Sequence, residues 1–188
     1  MIRRWLVGCL TACALCMGAA QAEQVDAWEA LRTGRAVLLL RHATAPGLGD
    51  PPGFVLEDCA TQRNLNEAGR AEARRWGELL RDQGIDSPRL LSSRWCRALE
   101  TAREMGIGDV EPLPLLDSFF ARSGQADEQT RGLKAFLNDL PGGRPVIMVS
   151  HQVNITALTD VFPRSGEGVV LALPVSEPVR LLGRILPP

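Results

Sequence analysis

Apolar residues along this chain fall into two kinds of pattern. Ala36 to Leu40 (AVLLL) and Val146 to Val149 (VIMV) are short unbroken runs, which suit strands buried on both faces of a parallel sheet. Arg89 to Ser92, Val169 to Leu173 and Val179 to Ile185 read as three more strands. Between them the period changes to that of a helix. Residues 26–34 place Trp28 and Leu31 on one side. Asn66 is a good N-cap, with Glu67 in the first turn. Ala68, Ala71, Trp76, Leu79 and Leu80 follow at helical spacing, and Gly84 closes the segment. Further helices are predicted over Arg97 to Met105, over Glu128 to Leu140 ahead of Pro141-Gly142-Gly143, and from about Val153. Residues 44–64, rich in proline and glycine, form a long loop, and a loop of that length in a compact domain usually serves function. Strands alternating with helices predict an α/β three-layer sandwich with a mostly parallel central sheet.

Length and charge narrow this picture. A chain of 188 residues builds one domain rather than two. Its first segment has the make-up of a secretory signal: Arg3-Arg4, the uncharged apolar stretch Trp5 to Ala20, then Ala20-Gln21-Ala22. The expected division is a signal peptide over 1–22 and a domain over 23–188, placed in the periplasm or secreted. Leu10-Thr11-Ala12-Cys13 also resembles a lipoprotein processing site, so a lipid anchor at Cys13 is the lesser alternative. Loss of Arg3 and Arg4 from 21 basic and 22 acidic residues leaves a net charge of −3. That balance argues against a nucleic-acid partner and against binding an anionic membrane surface by charge alone. Two cysteines remain, Cys59 and Cys96, in a compartment that permits disulfides. They show no zinc-type ligand spacing with the histidines, so no metal site is expected.

Candidate chemistry is concentrated at strand ends. The chain has two histidines, and each directly follows an apolar strand: His42 after Leu38-Leu39-Leu40-Arg41, and His151 after Met148-Val149-Ser150. In open parallel sheets ligands bind beyond the carboxyl ends of the strands. Arg41, Arg63 and Arg97 lie at comparable positions, and a guanidinium fork suits phosphate oxygens. With 20 arginines against the single Lys134, only a place in a motif distinguishes any one of them from a surface residue.

Such motifs are present. Leu40-Arg41-His42-Ala43-Thr44 resembles the Arg-His-Gly signature of the histidine phosphatase superfamily, which includes phosphoglycerate mutases and bacterial phosphohistidine phosphatases. Arg63-Asn64-Leu65-Asn66-Glu67-Ala68-Gly69 with Ala73, Ser92-Ser93 through Thr101-Ala102, and Val149-Ser150-His151 resemble three further family blocks in the expected order. The resemblance implies a phosphoglycerate mutase-like fold and a cofactor-independent phosphatase. His42 would accept the phosphoryl group covalently, and Arg41, Arg63, Arg97 and His151 would hold it. It also brings the segments of Cys59 and Cys96 together, favouring a disulfide over two buried thiols.

Three departures from the family pattern bear on chemistry. Gln152 stands where one branch carries an acid after the second histidine, which moves the proton-donor role to Asp117 in Leu115-Leu116-Asp117-Ser118-Phe119-Phe120. Ala43 replaces the usual glycine and adds a methyl near the phosphate loop. The short stretch between Asp117 and Val146 favours a small open-sited phosphatase over a mutase-like phosphotransferase. The expected substrates are phosphorylated small molecules or phosphoproteins. A non-catalytic phosphate-binding protein is the alternative from another class.

Overall fold

The computed structural model describes residues 27–188; the expected signal peptide and Cys13 lie outside the described residues. A first helix, α1, covers 27–32 of the described chain. The strands are β1 (Ala36–Arg41), β2 (Arg89–Ser92), β3 (Val110–Pro112), β4 (Val146–Ser150), β5 (Gly168–Ala172) and β6 (Leu181–Ile185). The remaining α-helices are α2 (Glu67–Asp82), α3 (Cys96–Glu104), α4 (Ala126–Asn138) and α5 (Gln152–Thr159). Expected elements and observed ones agree to within a few residues. The sequence pattern did not reveal β3, whose three residues carry no apolar run and which ends in Pro112 at an edge of the sheet, where a missing N–H is tolerated.

The six strands form one sheet in the order β3-β2-β4-β1-β5-β6. The first four are parallel, whereas β5 runs antiparallel to β1 and β6 antiparallel to β5. Alternate residues of β1 serve opposite layers. Leu38 and Leu40 pack with Trp28, Leu31, Trp76 and Leu80 of α1 and α2 and with Met105, which follows α3. Val37 and Leu39 pack with Leu133, Leu137, Ile155 and Leu158 of α4 and α5. Burial on both faces is why β1 and β4 read as unbroken apolar runs.

Helix α2 begins as its sequence suggests: the Asn66 side chain accepts the Gly69 N–H at 2.9 Å. Two glycines then let it press on its neighbours. A Cβ at Gly69 would lie 2.1 Å from the Thr44 carbonyl oxygen, and one at Gly77 would lie 1.8 Å from that of Met105. Only glycine permits approaches this close. The long loop is tied down at its far end by a disulfide between Cys59 and Cys96, the first residue of α3. Closing a loop of 37 residues is worth about 4 kcal/mol in the chain-entropy model. Among the described residues, no helix is long and apolar enough to cross a membrane.

Candidate active site

The parallel register sets the two histidines side by side. Arg41 pairs with Ser150 at the ends of β1 and β4, so the next residues, His42 and His151, are neighbours. The His42 N–H donates to the Ser150 carbonyl at 2.9 Å, and the ring centroids are 5.4 Å apart at 64°. Both side chains are almost fully buried. His42 Nδ1 lies 2.8 Å from the Ala43 carbonyl oxygen. A carbonyl only accepts, so Nδ1 carries the proton and Nε2 keeps its lone pair. The Ala43 N–H is held in turn by Thr101 Oγ1 at 3.0 Å, and the Thr101 hydroxyl donates to the Arg97 carbonyl at 2.7 Å. The signature loop and α3 therefore fix each other. The Ala43 methyl packs with Ala45, Leu65 and Ala73 and is absent from the pocket wall.

Arg41, His42, Arg63, Arg97 and His151 line one cavity of about 150 Å³. The Arg41 guanidinium donates through Nη1 to the Pro163 carbonyl, and that of Arg63 donates through Nε to the Gly49 carbonyl. Each is thereby anchored at its outer side. Buried Nε atoms of Arg41 and Arg97, and Nδ1 of His151, have no hydrogen-bond partner within the protein. Two of these are guanidinium donors, and unpaired donors on residues that line one cation-lined cavity call for an acceptor-rich ligand, because each unpaired buried donor costs about 1–3 kcal/mol. An oxyanion supplies the acceptors.

The electrostatics follow from burial among like charges. Burial first, and the nearby Arg97 next, hold the His42 imidazolium form down, so its pKa lies well below the ordinary histidine value. His151 is lowered for the same two reasons and by His42 beside it. Burial also lowers Arg41, Arg63 and Arg97, though a guanidinium remains charged at any ordinary pH. Both imidazoles are thus neutral near pH 7.

The one carboxylate of the pocket wall, Asp50, was missed by the sequence reading. Its Oδ1 accepts from Arg97 Nη1 at 2.7 Å and from the Arg63 N–H at 3.0 Å, and its Oδ2 accepts from Trp95 Nε1 at 3.0 Å. Burial by itself would raise its carboxyl, but the bond from Arg97 and the other donors bring it below the ordinary value. Proline and glycine around Asp50 mark a loop, and nothing in that pattern distinguishes it from Glu57 or Asp58.

Asp117, expected as proton donor, is not part of the pocket wall. Its carboxylate takes Arg94 Nε at 2.8 Å, Arg94 Nη2 at 2.6 Å, the Arg94 N–H at 2.8 Å and Ser93 Oγ at 3.3 Å. Gln129 and Asn154 hold its carbonyl from below. With every acceptor direction so occupied, the side chain is kept under the pocket, and the next residue, Ser118, reaches the wall instead. Asp117 still communicates with the site: Ser93 Oγ lies 2.7 Å from His151 Nε2 and links the two. Gln152 lines the pocket with its amide bonded to Thr156. Among the described residues, no group of three or more His, Cys, Asp or Glu could hold a metal ion.

Comparison with known proteins places this arrangement. Residues 37–118 match the family model of the histidine phosphatase superfamily (branch 1). The protein histidine phosphatase SixA, complexed with tungstate, is 22% identical with a TM-score of 0.57, over 81% of this chain and 97% of that one. A SixA-type structure from Agrobacterium tumefaciens is 24% identical with a TM-score of 0.54, over 81% and 98%. A mycobacterial glucosyl-3-phosphoglycerate phosphatase with inorganic phosphate is 19% identical with a TM-score of 0.51, over 82% and 97%. These likenesses establish the fold. No curated protein sequence matches the chain. The signature segment thus resembles the histidine phosphatase superfamily (branch 1), and both histidines and three arginines meet at the carboxyl edge of a shared sheet.

Proposed function

We propose that this protein is an exported phosphatase that works through a phosphohistidine on His42. The observation that carries the proposal is the orientation of His42: Nδ1 is committed to the Ala43 carbonyl, leaving Nε2 as the nucleophile in a cavity lined by three arginines. Burial keeps that nitrogen unprotonated, and neutral imidazole is the form that attacks. Nε2 attacks phosphorus, the bond to the leaving oxygen breaks, and Arg41, Arg63 and Arg97 carry the charge of the transferring oxygens. Water then cleaves the N–P bond, releasing phosphate and restoring His42.

His151 supports the same steps from the other side. Its Nδ1 is unpartnered, and its Nε2 meets the Ser93 hydroxyl, which also bonds Asp117. When a phosphate dianion enters, the chain His151–Ser93–Asp117 favours a proton on both ring nitrogens, turning His151 into a donor toward the phosphate. Asp117 is thus a positioning residue acting through Ser93. Export is supported by the signal-like leader together with the disulfide.

Brief incubation with a phosphate monoester followed by alkaline quenching should leave acid-labile, base-stable phosphate on the wild-type protein and none on His42→Asn. Near-normal turnover by His42→Asn would falsify the covalent route. A non-catalytic binder would instead take up inorganic phosphate without releasing any from an ester.

A further inference from the structure

The phosphate pocket has a neighbour. A second cavity of about 370 Å³ shares Gly49, Asp50, Ser118 and Phe120 with it, so a group in one is adjacent to a group in the other. Its walls are aromatic. Phe54 and Trp95 stand 5.8 Å apart at a tilt of 49°, Phe120 adds a third ring, and Arg122 is its one cationic side chain. Trp95 also touches His151 edge-on at 5.6 Å, which joins the groove directly to the site of phosphoryl transfer. A cavity of about 150 Å³ already holds a benzene ring, so this groove has room for a larger aromatic group.

The rim has the same character. Among the described residues, five large hydrophobic side chains are exposed, and three of them, Leu48, Phe120 and Phe162, line the phosphate pocket. Apolar surface gathered at a binding mouth marks contact with an apolar part of the ligand. Acid–base chemistry narrows the class further. Across both cavities the one carboxylate is Asp50, and it is held ionised by Arg97, the Arg63 N–H and Trp95. Asp117 is committed to Arg94 and Ser93. A leaving oxygen therefore departs without a carboxylic acid to protonate it, which a phenolate tolerates far better than an alkoxide.

Resting on the phosphatase reading, the geometry points to an aryl phosphate monoester as the substrate class. Its phosphoryl group sits among Arg41, Arg63 and Arg97, and its aromatic ring sits in the groove of Phe54, Trp95 and Phe120. Nε2 of His42 displaces the phenolate, which leaves with the electron pair of the broken P–O bond and takes a proton from water.

The test is turnover of 2-naphthyl, phenyl and cyclohexyl phosphate by the purified protein. The two phenols are of similar acidity, so their ratio reads ring size, while the cyclohexyl ester keeps the size of phenyl but releases an alkoxide. We expect kcat/KM for naphthyl to exceed phenyl by about tenfold, and Phe120→Ala to bring that ratio down to about one. Cyclohexyl phosphate should fall at least about 100-fold below phenyl, the usual worth of a missing general acid. Equal turnover of the two aryl esters, or a preference that survives both Phe120→Ala and Phe54→Ala, would overturn the groove and leave the phosphatase reading intact. Cyclohexyl phosphate cleaved as fast as phenyl would reveal a working proton donor and overturn the aryl assignment. Turnover of none of the three would sink both readings.

Discussion

Arginines serve opposite ends in two parts of this molecule. On the outer face of α2 and α3, Arg70 meets Glu67 at 3.0 Å and Glu100 at 3.2 Å, while Arg74 meets Glu67 at 2.9 Å and Glu104 at 2.7 Å. Both of these cations have their carboxylates, and the pair lies near solvent. In the pocket, Arg41, Arg63 and Arg97 share one carboxylate, Asp50, and two of their Nε atoms have no partner in the protein. The surface cluster is internally balanced, so it has little left to offer a ligand. The pocket is deliberately short of negative charge, and that deficit is its capacity to bind an anion.

The largest way to break this contrast is to remove the best-placed pocket cation. Arg97→Ala should reduce kcat/KM by about 100- to 1,000-fold, the usual cost of losing a preorganised donor to transition-state charge. Inhibition by inorganic phosphate should weaken in the same variant; steady-state kinetics checks both. Removing the lone carboxylate comes next. Asp50→Asn leaves the buried Arg97 without its counter-charge and should cost about 2–3 kcal/mol by urea denaturation. Added phosphate should restore a larger share of that loss than it adds to the wild type, because it supplies the missing charge.

Acidity tests the same imbalance more gently. In an unfolded chain an imidazole takes up its proton near pH 6.5, whereas His42 and His151 in the folded pocket bind theirs only at lower pH. Between those values the unfolded state holds more protons, so stability falls as pH drops below about 6.5 and is regained as it rises. Histidine ring resonances followed by NMR should stay at their neutral positions when the pH is lowered through 6.5. Titration at the ordinary value would remove the electrostatic account of the pocket. The smallest effect is expected on the outer face. Arg74→Ala should leave kcat/KM unchanged and shift the denaturation midpoint negligibly, as exposed pairs are worth little.

Much of the fold could be read in the sequence because the core obeys two simple periods. AVLLL and VIMV suit doubly buried strands, and each is followed by its histidine at the strand end. Asn66 and Gly84 bound α2 as their local chemistry dictates. What was hidden depends on contacts across the chain. Strand β3 is an edge element without an apolar run. The reversal of β5 against β1 is a matter of long-range pairing and is not written in the composition of Gly168–Ala172. Asp50 becomes a pocket residue because α3 presents Arg97 and Trp95 to it, 45 and more residues away. Asp117 illustrates the reverse case: its segment resembles the family pattern, but Arg94, two residues before α3, pairs with the carboxylate.

The contact at Gly69 carries a consequence for how finely the nucleophile is set. Thr44, whose carbonyl lies against that glycine, is the neighbour of Ala43, whose own carbonyl holds the proton on His42 Nδ1. A helix on the outside of the sheet therefore acts as a gauge block for the catalytic loop, its thickness fixed by the absence of a single methyl. Growth of that block by one carbon would lift the loop and free the imidazole to turn over, exchanging the nucleophilic nitrogen for the protonated one while every residue in the pocket kept its identity.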